Sequence, residues 1–273
     1  MRIVVRTSRL AIWSRRLGSF SVVLLLLSII LHFSGQIAPD VFEISIGLAS
    51  VFAALALLLA VLAFTVLWQT GDKGWGLALS GFIASSFALI PAGTAFALYL
   101  SYPSTLDVST DIGNPPALAL AHPDRPEHAV DPEALANRFP NLVSRSYQLP
   151  VEVMHNLVEA LARNNGWTVL RNRAPTETGM IGTLNARRET LWGWSSEIAI
   201  RVAANPMGAN VSIRAASLRD MWHDLGDNGR SLENALLALD DAVTLYVRDG
   251  LAILDDDDEE ELPEALPEDH EAL

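Results

Sequence analysis

Apolar residues fill the first hundred positions in three long runs, 17–33, 44–68 and 75–100, with no charged side chain inside any of them. A hydrocarbon core of ~30 Å takes roughly 20 residues of helix, so each run predicts a helix able to cross a bilayer. A soluble helix of that length would carry a polar stripe, and these do not. Ser34-Gly35-Gln36 and Gln69-Thr70-Gly71 follow the first two runs as stops. Trp68, Trp75 and Tyr99 stand at run ends, where an amphipathic ring favours the headgroup layer.

Past residue 100 the pattern changes to that of a water-facing domain. Prolines 103, 115, 116, 123, 126, 132 and 140 break regular structure. They predict an extended, ordered connector near 107–116, then a loop and a short helix over 132–138. Val151, Met154, Leu157, Val158 and Leu161 recur at helical spacing, with Pro150 at the first helical position, Glu152 in the first turn and Asn165-Gly166 as a left-handed stop. Strands are expected over 167–173 and 180–189. Ile198, Ile200 and Val202 alternate with smaller or polar residues, as do Val211, Ile213 and Ala215 after a hairpin turn at Asn205-Pro206-Met207-Gly208. A last helix over 231–248 lines up Leu232, Leu236, Leu239, Val243 and Val247 and stops at Gly250. Neighbouring strands without crossover helices imply an antiparallel sheet. The expected fold class is therefore α+β. Three transmembrane helices (1–100) precede an extramembrane domain (101–254), whose antiparallel sheet of about four strands is flanked by helices; an acidic tail (255–273) follows.

Charge sets the orientation. Arg2, Arg6, Arg9, Arg15 and Arg16 precede or open the first run, the loop 34–43 carries Asp40 and Glu43 but no cation, and the next loop holds Lys73, the one lysine of the chain. The positive-inside rule then places the N-terminus in the cytoplasm of a bacterium and, after three crossings of the inner (cytoplasmic) membrane, the domain in the periplasm. A cleaved signal peptide is the rival reading of the first run. Its basic start fits, but the run is too long and no Ala-x-Ala site follows. The absence of cysteine removes disulfides, thiolate metal sites and Cys nucleophiles. Residues 255–273 hold eleven acids, with Pro263 and Pro267 among them; without these acids the formal charge of −13 falls to −2. Such a run buries no core and predicts a disordered, solubilising tail. No basic patch speaks for nucleic acid as a partner.

Three ordered motifs resemble a bacterial domain-of-unknown-function family, the one numbered fourteen ninety-nine. They are Asp107-Val108-Ser109-Thr110-Asp111 with Pro115-Pro116; Thr190-Leu191-Trp192-Gly193-Trp194 leading into Ile198-Ala199-Ile200-Arg201-Val202; and Val211-Ser212-Ile213-Arg214-Ala215-Ala216-Ser217 leading into Asp224-Leu225-Gly226 and Asn228. The set covers about 106–243. Where the family usually has an Arg-Val-Gly turn, this chain has Leu218-Arg219-Asp220-Met221-Trp222-His223. The resemblance implies a membrane-associated envelope protein and brings no established activity.

Candidate chemistry is sparse. Asp107 and Asp111, beside Ser109 and Thr110, have the residue types to hold a hard cation or to do acid–base work; the plainer expectation is that these side chains cap backbone groups. His223 and Asp224, with Ser217 nearby in sequence, evoke a hydrolase, yet no Gly-x-Ser-x-Gly is present and the stretch 224–229 reads as a turn before the last helix. Trp192 and Trp194 fit a membrane surface, a ligand floor or, by the area they bury, core packing. Arg201 and Arg214 on adjacent strands need acids nearby, or else form a small anion site with Arg187, Arg188 or Arg219. No phosphate loop or other cofactor motif occurs. Two readings follow: a membrane-tethered binding or scaffolding module with the lipid bilayer and an envelope protein or lipid ligand as partners, or a membrane-tethered hydrolase or metal-dependent enzyme using Asp107, Asp111, His223 and Asp224.

Deleting residues 255–273 is expected to leave the outer domain folded. Thermal melts with and without the tail should agree within a few degrees, since roughly 1 kcal/mol moves a melt of this size by about 2–4 °C. A much larger drop would mean that the tail acids pair with basic side chains of the domain.

Overall fold

The computed structural model describes residues 6–122, 131–176, 181–190 and 192–260, with backbone alone for 250–260. Expectations resting on Arg2, Pro123, Pro126, Met180, Leu191 and the tail past Glu260 lie outside those residues.

The anchor consists of α1 (Arg9–Phe33), α2 (Pro39–Thr70), α3 (Trp75–Ala88) and α4 (Ile90–Ser101). The first two are each long and apolar enough to cross a membrane; α3 and α4 meet at a bend of 46°, so the described residues hold two such helices, or three if the bent pair is one span. The third apolar run is therefore not one straight helix. Pro91 explains the break, because it removes a helical N–H and its ring crowds the preceding turn. α1 also starts earlier than its apolar run, at the cap Ser8, whose hydroxyl accepts the Ala11 N–H. The 32 residues of α2 reach roughly 48 Å, so its ends project past a ~30 Å core.

Small residues hold these helices together. Ala11, Ser14, Gly18, Ser21, Leu25 and Ser28 are the buried positions of α1, and Ala49, Ala53, Ala56, Ala60, Ala63 and Leu67 those of α2 below its first turn. α3 adds Ala78, Gly81, Ser85 and Ala88. The steps alternate three and four residues, the seam of closely packed helices. The large side chains point outward: Val23, Ile44, Val51, Leu58, Ile83 and Phe96 are all more than half exposed. In water that surface is untenable; in lipid, where burial of apolar area gives no drive, close contact of small residues is what joins helices. These apolar helices make the chain a membrane-anchored protein.

The outer domain runs β1 (Asp107–Ser109), α5 (Pro132–Arg138), β2 (Arg145–Tyr147), α6 (Val151–Asn164), β3 (Thr168–Arg173), β4 (Ile181–Glu189), β5 (Ser195–Asn205), β6 (Gly208–Ser217) and α7 (Asp227–Glu260). The antiparallel sheet has six strands in the order β1-β6-β5-β4-β3, with β2 also paired to β6. It is larger than the four strands expected. β5 takes one whole edge of β6, so β1 and β2 share the other edge, at Arg214–Ala216 and Ala209–Val211. Three residues each are too few to show an alternating pattern, which is why both escaped the sequence.

One face of the sheet is the core. Leu184, Ala186, Ile198, Ile200, Val202, Val211, Ile213 and Ala215 pack there against Met154, Val158 and Leu161 of α6 and Leu232, Leu236 and Leu239 of α7. α6 ends at Gly166 with φ +67°, as its sequence predicts. α7 departs at both ends: it starts at Asp227 rather than Ser231 and runs through Gly250 to Glu260. One glycine weakens a helix interior by about 1 kcal/mol without ending it. Val247 is exposed rather than part of the packed face.

The closest helix contact generates a prediction. A Cβ at Gly81 would meet Ser14 Oγ and stand 2.7 Å from the Arg15 backbone nitrogen. Gly81→Ala should force α1 and α3 apart and destabilise the anchor by about 1–3 kcal/mol, read as a lower unfolding midpoint in detergent. An unchanged midpoint would mean that α1 and α3 do not pack as described.

Candidate functional site

The second face of the sheet is polar, and the connector lies on it. Residues opposite one another in antiparallel strands share a face, so Asp107, Ser109, Glu197, Arg201, Ser212 and Arg214 all project to this side. Thr105 to His122 crosses above them. Three charged groups of the sheet fasten it.

Glu197 lies at the centre and is fully buried. Its Oε1 accepts the Ala119 N–H (2.6 Å) and Asn185 Nδ2 (2.7 Å); its Oε2 accepts the Leu120 N–H (2.9 Å) and faces His122 Nε2 at 3.0 Å. Asn185 Nδ2 also donates to the Ala117 carbonyl at 2.9 Å, and His122 Nδ1 lies 3.3 Å from the Ser217 carbonyl. Burial pushes the Glu197 carboxyl up, but the hydrogen bonds from Ala119, His122, Leu120 and Asn185 outweigh it, and the group titrates below its ordinary value. Two arginines flank this centre. Arg214 grips Asp107 with Nε and Nη2 at 2.8 and 2.7 Å and reaches the Pro116 carbonyl. Arg201 Nη2 donates to Asp111 Oδ2 and to the Asn114 carbonyl, both at 2.8 Å. A planar guanidinium suits such forked contacts.

A second polar knot closes the connector's start. The buried Asp224 accepts the Thr105 N–H at 2.7 Å and hydroxyl at 2.5 Å, and the Asn228 N–H at 3.1 Å. Asn228 Nδ2 in turn donates to the Thr105 carbonyl and to Ser217 Oγ, both at 2.9 Å. The turn needs a left-handed backbone at Leu225 (φ +56°) and Gly226 (φ +72°).

The sequence candidates are thus distributed over two places. Asp107 and Asp111 stand on the polar face and each meets its own arginine; Asp107 meets Arg214 in place of the backbone cap expected of it. Thr110 does cap, its Oγ1 accepting the Ile213 N–H at 2.9 Å, and Asp111 Oδ1 accepts that of Asn114. Asp224 belongs to the knot. His223 Nδ1 accepts the Leu225 N–H at 2.8 Å, and its ring packs on Tyr99. Among the described residues no three of His, Asp and Glu gather closely enough to hold a metal ion. The remaining arginines of the imagined anion site also meet acids: Arg187 with Glu189, Arg188 with Asp227, Arg219 with Asp40 and Glu43.

That last pair joins the domain to the anchor. Glu43, in the first turns of α2, takes Arg219 Nη1 at 2.5 Å and Trp194 Nε1 at 2.7 Å. Trp192 stacks on Phe42 with ring centres 6.2 Å apart, and Phe42 on His32 at 4.1 Å. Gly193 between the two tryptophans has φ +80°, and a Cβ there would stand 2.9 Å from Pro39 Cβ. Core packing is therefore not the use of these tryptophans: Trp192 is half exposed and both meet the anchor. The stretch that replaces the family's Arg-Val-Gly turn supplies Arg219 to this junction.

Residues 107–239 match the model of a protein family described as "Protein of unknown function (DUF1499)". It is the family that the motifs resemble. A search of curated proteins gives no match. The matched stretch begins at Asp107, the first sheet residue of the connector, and leaves out the anchor. Asp107, Thr110, Asp111, Pro116, Arg201, Arg214, Ser217, Asp224 and Asn228 come from the three motifs, and all of them belong to the fastening just described. Thr105, His122, Asn185 and Glu197 escaped the sequence reading. Glu197 left one signal, an acid inside the apolar strand Ile198-Ala199-Ile200 of the same motif.

Glu197→Gln should destabilise the domain by about 1–3 kcal/mol near neutral pH, since its amide cannot satisfy all the buried donors that the carboxylate accepts. A carboxyl with a lowered folded-state pKa stabilises above its unfolded value and loses that contribution as pH falls through the folded one. The penalty of Glu197→Gln, read from melts at a series of pH values, should therefore shrink on acidification below the usual carboxylate range. A penalty independent of pH would show that Glu197 is not held as a carboxylate.

Proposed function

We propose that the chain is a multi-pass protein of the bacterial inner membrane whose outer domain stands in the periplasm and serves the cell envelope as a binding or scaffolding module, with a lipid, peptide or envelope protein as ligand. One observation carries the orientation. The N-terminal end of α2 meets the outer domain through Asp40 and Glu43, whereas the loop with Lys73 meets the N-terminal segment at the opposite end, where Ser8 N–H bonds the Lys73 carbonyl and Lys73 N–H that of Arg6, both at 3.0 Å. The cations Arg6, Arg9, Arg15, Arg16 and Lys73 collect at that second end, the end that the positive-inside rule assigns to the cytoplasm.

The module reading is supported by how the candidate groups are engaged. Asp107 and Asp111 neutralise arginines that would otherwise repel one another, Asp224 satisfies backbone N–H groups, and His223 Nδ1 accepts one. An acid–base catalyst needs a carboxylate or imidazole directed at a cleft, and these groups are directed at the fold. The match to a family of unknown function fits either reading of activity and favours a domain that recurs as a unit.

A chain without cysteine makes the orientation simple to test. Single cysteines at the exposed positions Gln36, Lys73 and Met207 should report the two sides. In spheroplasts an impermeant maleimide is expected to label Gln36→Cys and Met207→Cys at once and Lys73→Cys only after lysis. The reverse pattern would invert the proposed orientation.

A further inference from the structure

We infer that the outer domain is seated on the phospholipid headgroup layer around the exit of the third span, with Trp222 in the interface and Arg138 and Arg230 on lipid phosphate. This rests on the reading that the N-terminal helices cross a bilayer and deepens it, because a tether alone leaves the domain free of the surface.

Trp222 is the most exposed tryptophan of the domain, at 79%. An indole left that bare in water is unfavourable, whereas its apolar body and polar N–H suit a headgroup layer. Its position fits: the ring lies against Tyr99, centres 5.2 Å apart, one residue before Leu100, the last large apolar side chain of α4. Leu100 itself is 68% exposed and marks the rim of the lipid-facing surface.

The arginines stand just above that rim. Tyr102 follows α4 directly, and the Arg138 and Arg230 guanidiniums lie 4.1 and 5.0 Å from its ring centre. Nearly every other arginine that folds the domain meets a carboxylate: Arg145, Arg187, Arg188, Arg201, Arg214 and Arg219 all do. Among the described residues of the domain Arg138, Arg171, Arg173 and Arg230 have none, and of these Arg138 and Arg230 share one ring. Two guanidiniums on one tyrosine ring, neither meeting an acid, concentrate positive charge there and gain from an anion. At the height of the first residues beyond a span, the anion at hand is a lipid phosphate, which a guanidinium binds through paired N–H groups. The junction of Arg219 with Glu43 holds the same side of the domain against the anchor, so the surface is continuous with a contact already formed.

The Cys-free chain in nanodiscs, carrying one environment-sensitive bimane label, tests this. The labels go at Trp222→Cys, at Met207→Cys in the β5–β6 turn, and at Ile83→Cys on the lipid-facing side of α3. Position 207 lies at the other end of β5, whose 11 residues span roughly 36 Å, and serves as the water reference. The expected result is quenching at 222 by a lipid-borne nitroxide near the headgroup, shielding there from aqueous iodide, and the opposite behaviour at 207. Arg138→Gln with Arg230→Gln should lower headgroup quenching at 222 at least twofold, more in discs containing phosphatidylglycerol than in phosphatidylcholine alone. If 83 is quenched from the lipid while 222 behaves like 207, the seat on the membrane is wrong and the anchor stands. If 222 is quenched but the double variant changes nothing, the phosphate role of the arginines is overturned. Failure of lipid quenching at 83 would remove the anchor reading itself.

Discussion

A carboxylate inside a protein stays charged only where donors replace the water it has lost, and Glu197 has been taken wholly out of water. Two of its donors, the N–H groups of Ala119 and Leu120, belong to the connector rather than to the sheet. The sheet therefore cannot satisfy its own central charge. The connector must lie across the polar face before the charge is paid for, and once there it brings Asp107 and Asp111 to Arg214 and Arg201. Ion pairs that would add little at an exposed surface gain from this half-buried setting. The route of the chain from Thr105 to His122 is fixed by these groups.

The same fastening controls what happens at the membrane. Thr105 lies four residues past the end of α4 and is bound on both sides by Asp224 and Asn228. The helix α4 thus leads into the domain without a free hinge. A second fixed point comes from α2, whose overshoot past the bilayer carries Asp40 and Glu43 up to Arg219 and Trp194. With two points held, the domain has a defined orientation on the anchor. Tethering by a flexible linker would have left its orientation open, and the local concentration of any ligand at the surface would then be set by linker length alone.

Much of this was legible in the sequence, for identifiable reasons. Apolar runs without charge and strands with strict alternation are strong signals, so the apolar helices of the anchor, α5, α6 and β3 to β6 were legible as elements, although α1 begins eight residues before its apolar run. The misses have equally physical causes. β1 and β2 are three-residue strands created by tertiary pairing with β6. The bend at Leu89 was hidden inside a continuous apolar run, although Pro91 was there to be read. α7 outran its expected end because a single glycine does not stop a helix that is otherwise favourable. In the site, Asp107 and Asp111 were found as polar residues of interest but not as partners of Arg214 and Arg201, which lie about a hundred residues away. Glu197 passed unnoticed because a strand's polar face looks solvent-exposed until something is shown to cover it. His122 and Thr105 carry no local pattern at all.

The most direct measurement is amide hydrogen exchange at Ala119 and Leu120 in the full chain. Both N–H groups sit in a segment without helix or strand, where exchange at free-coil rates would be ordinary. Bonded to a buried carboxylate, they should exchange only with the opening of the domain, with protection close to that of Ile198 and Ile200 in the central strand. Exchange at coil rates while those two remain protected would contradict the account, since the connector would then lie free of the sheet.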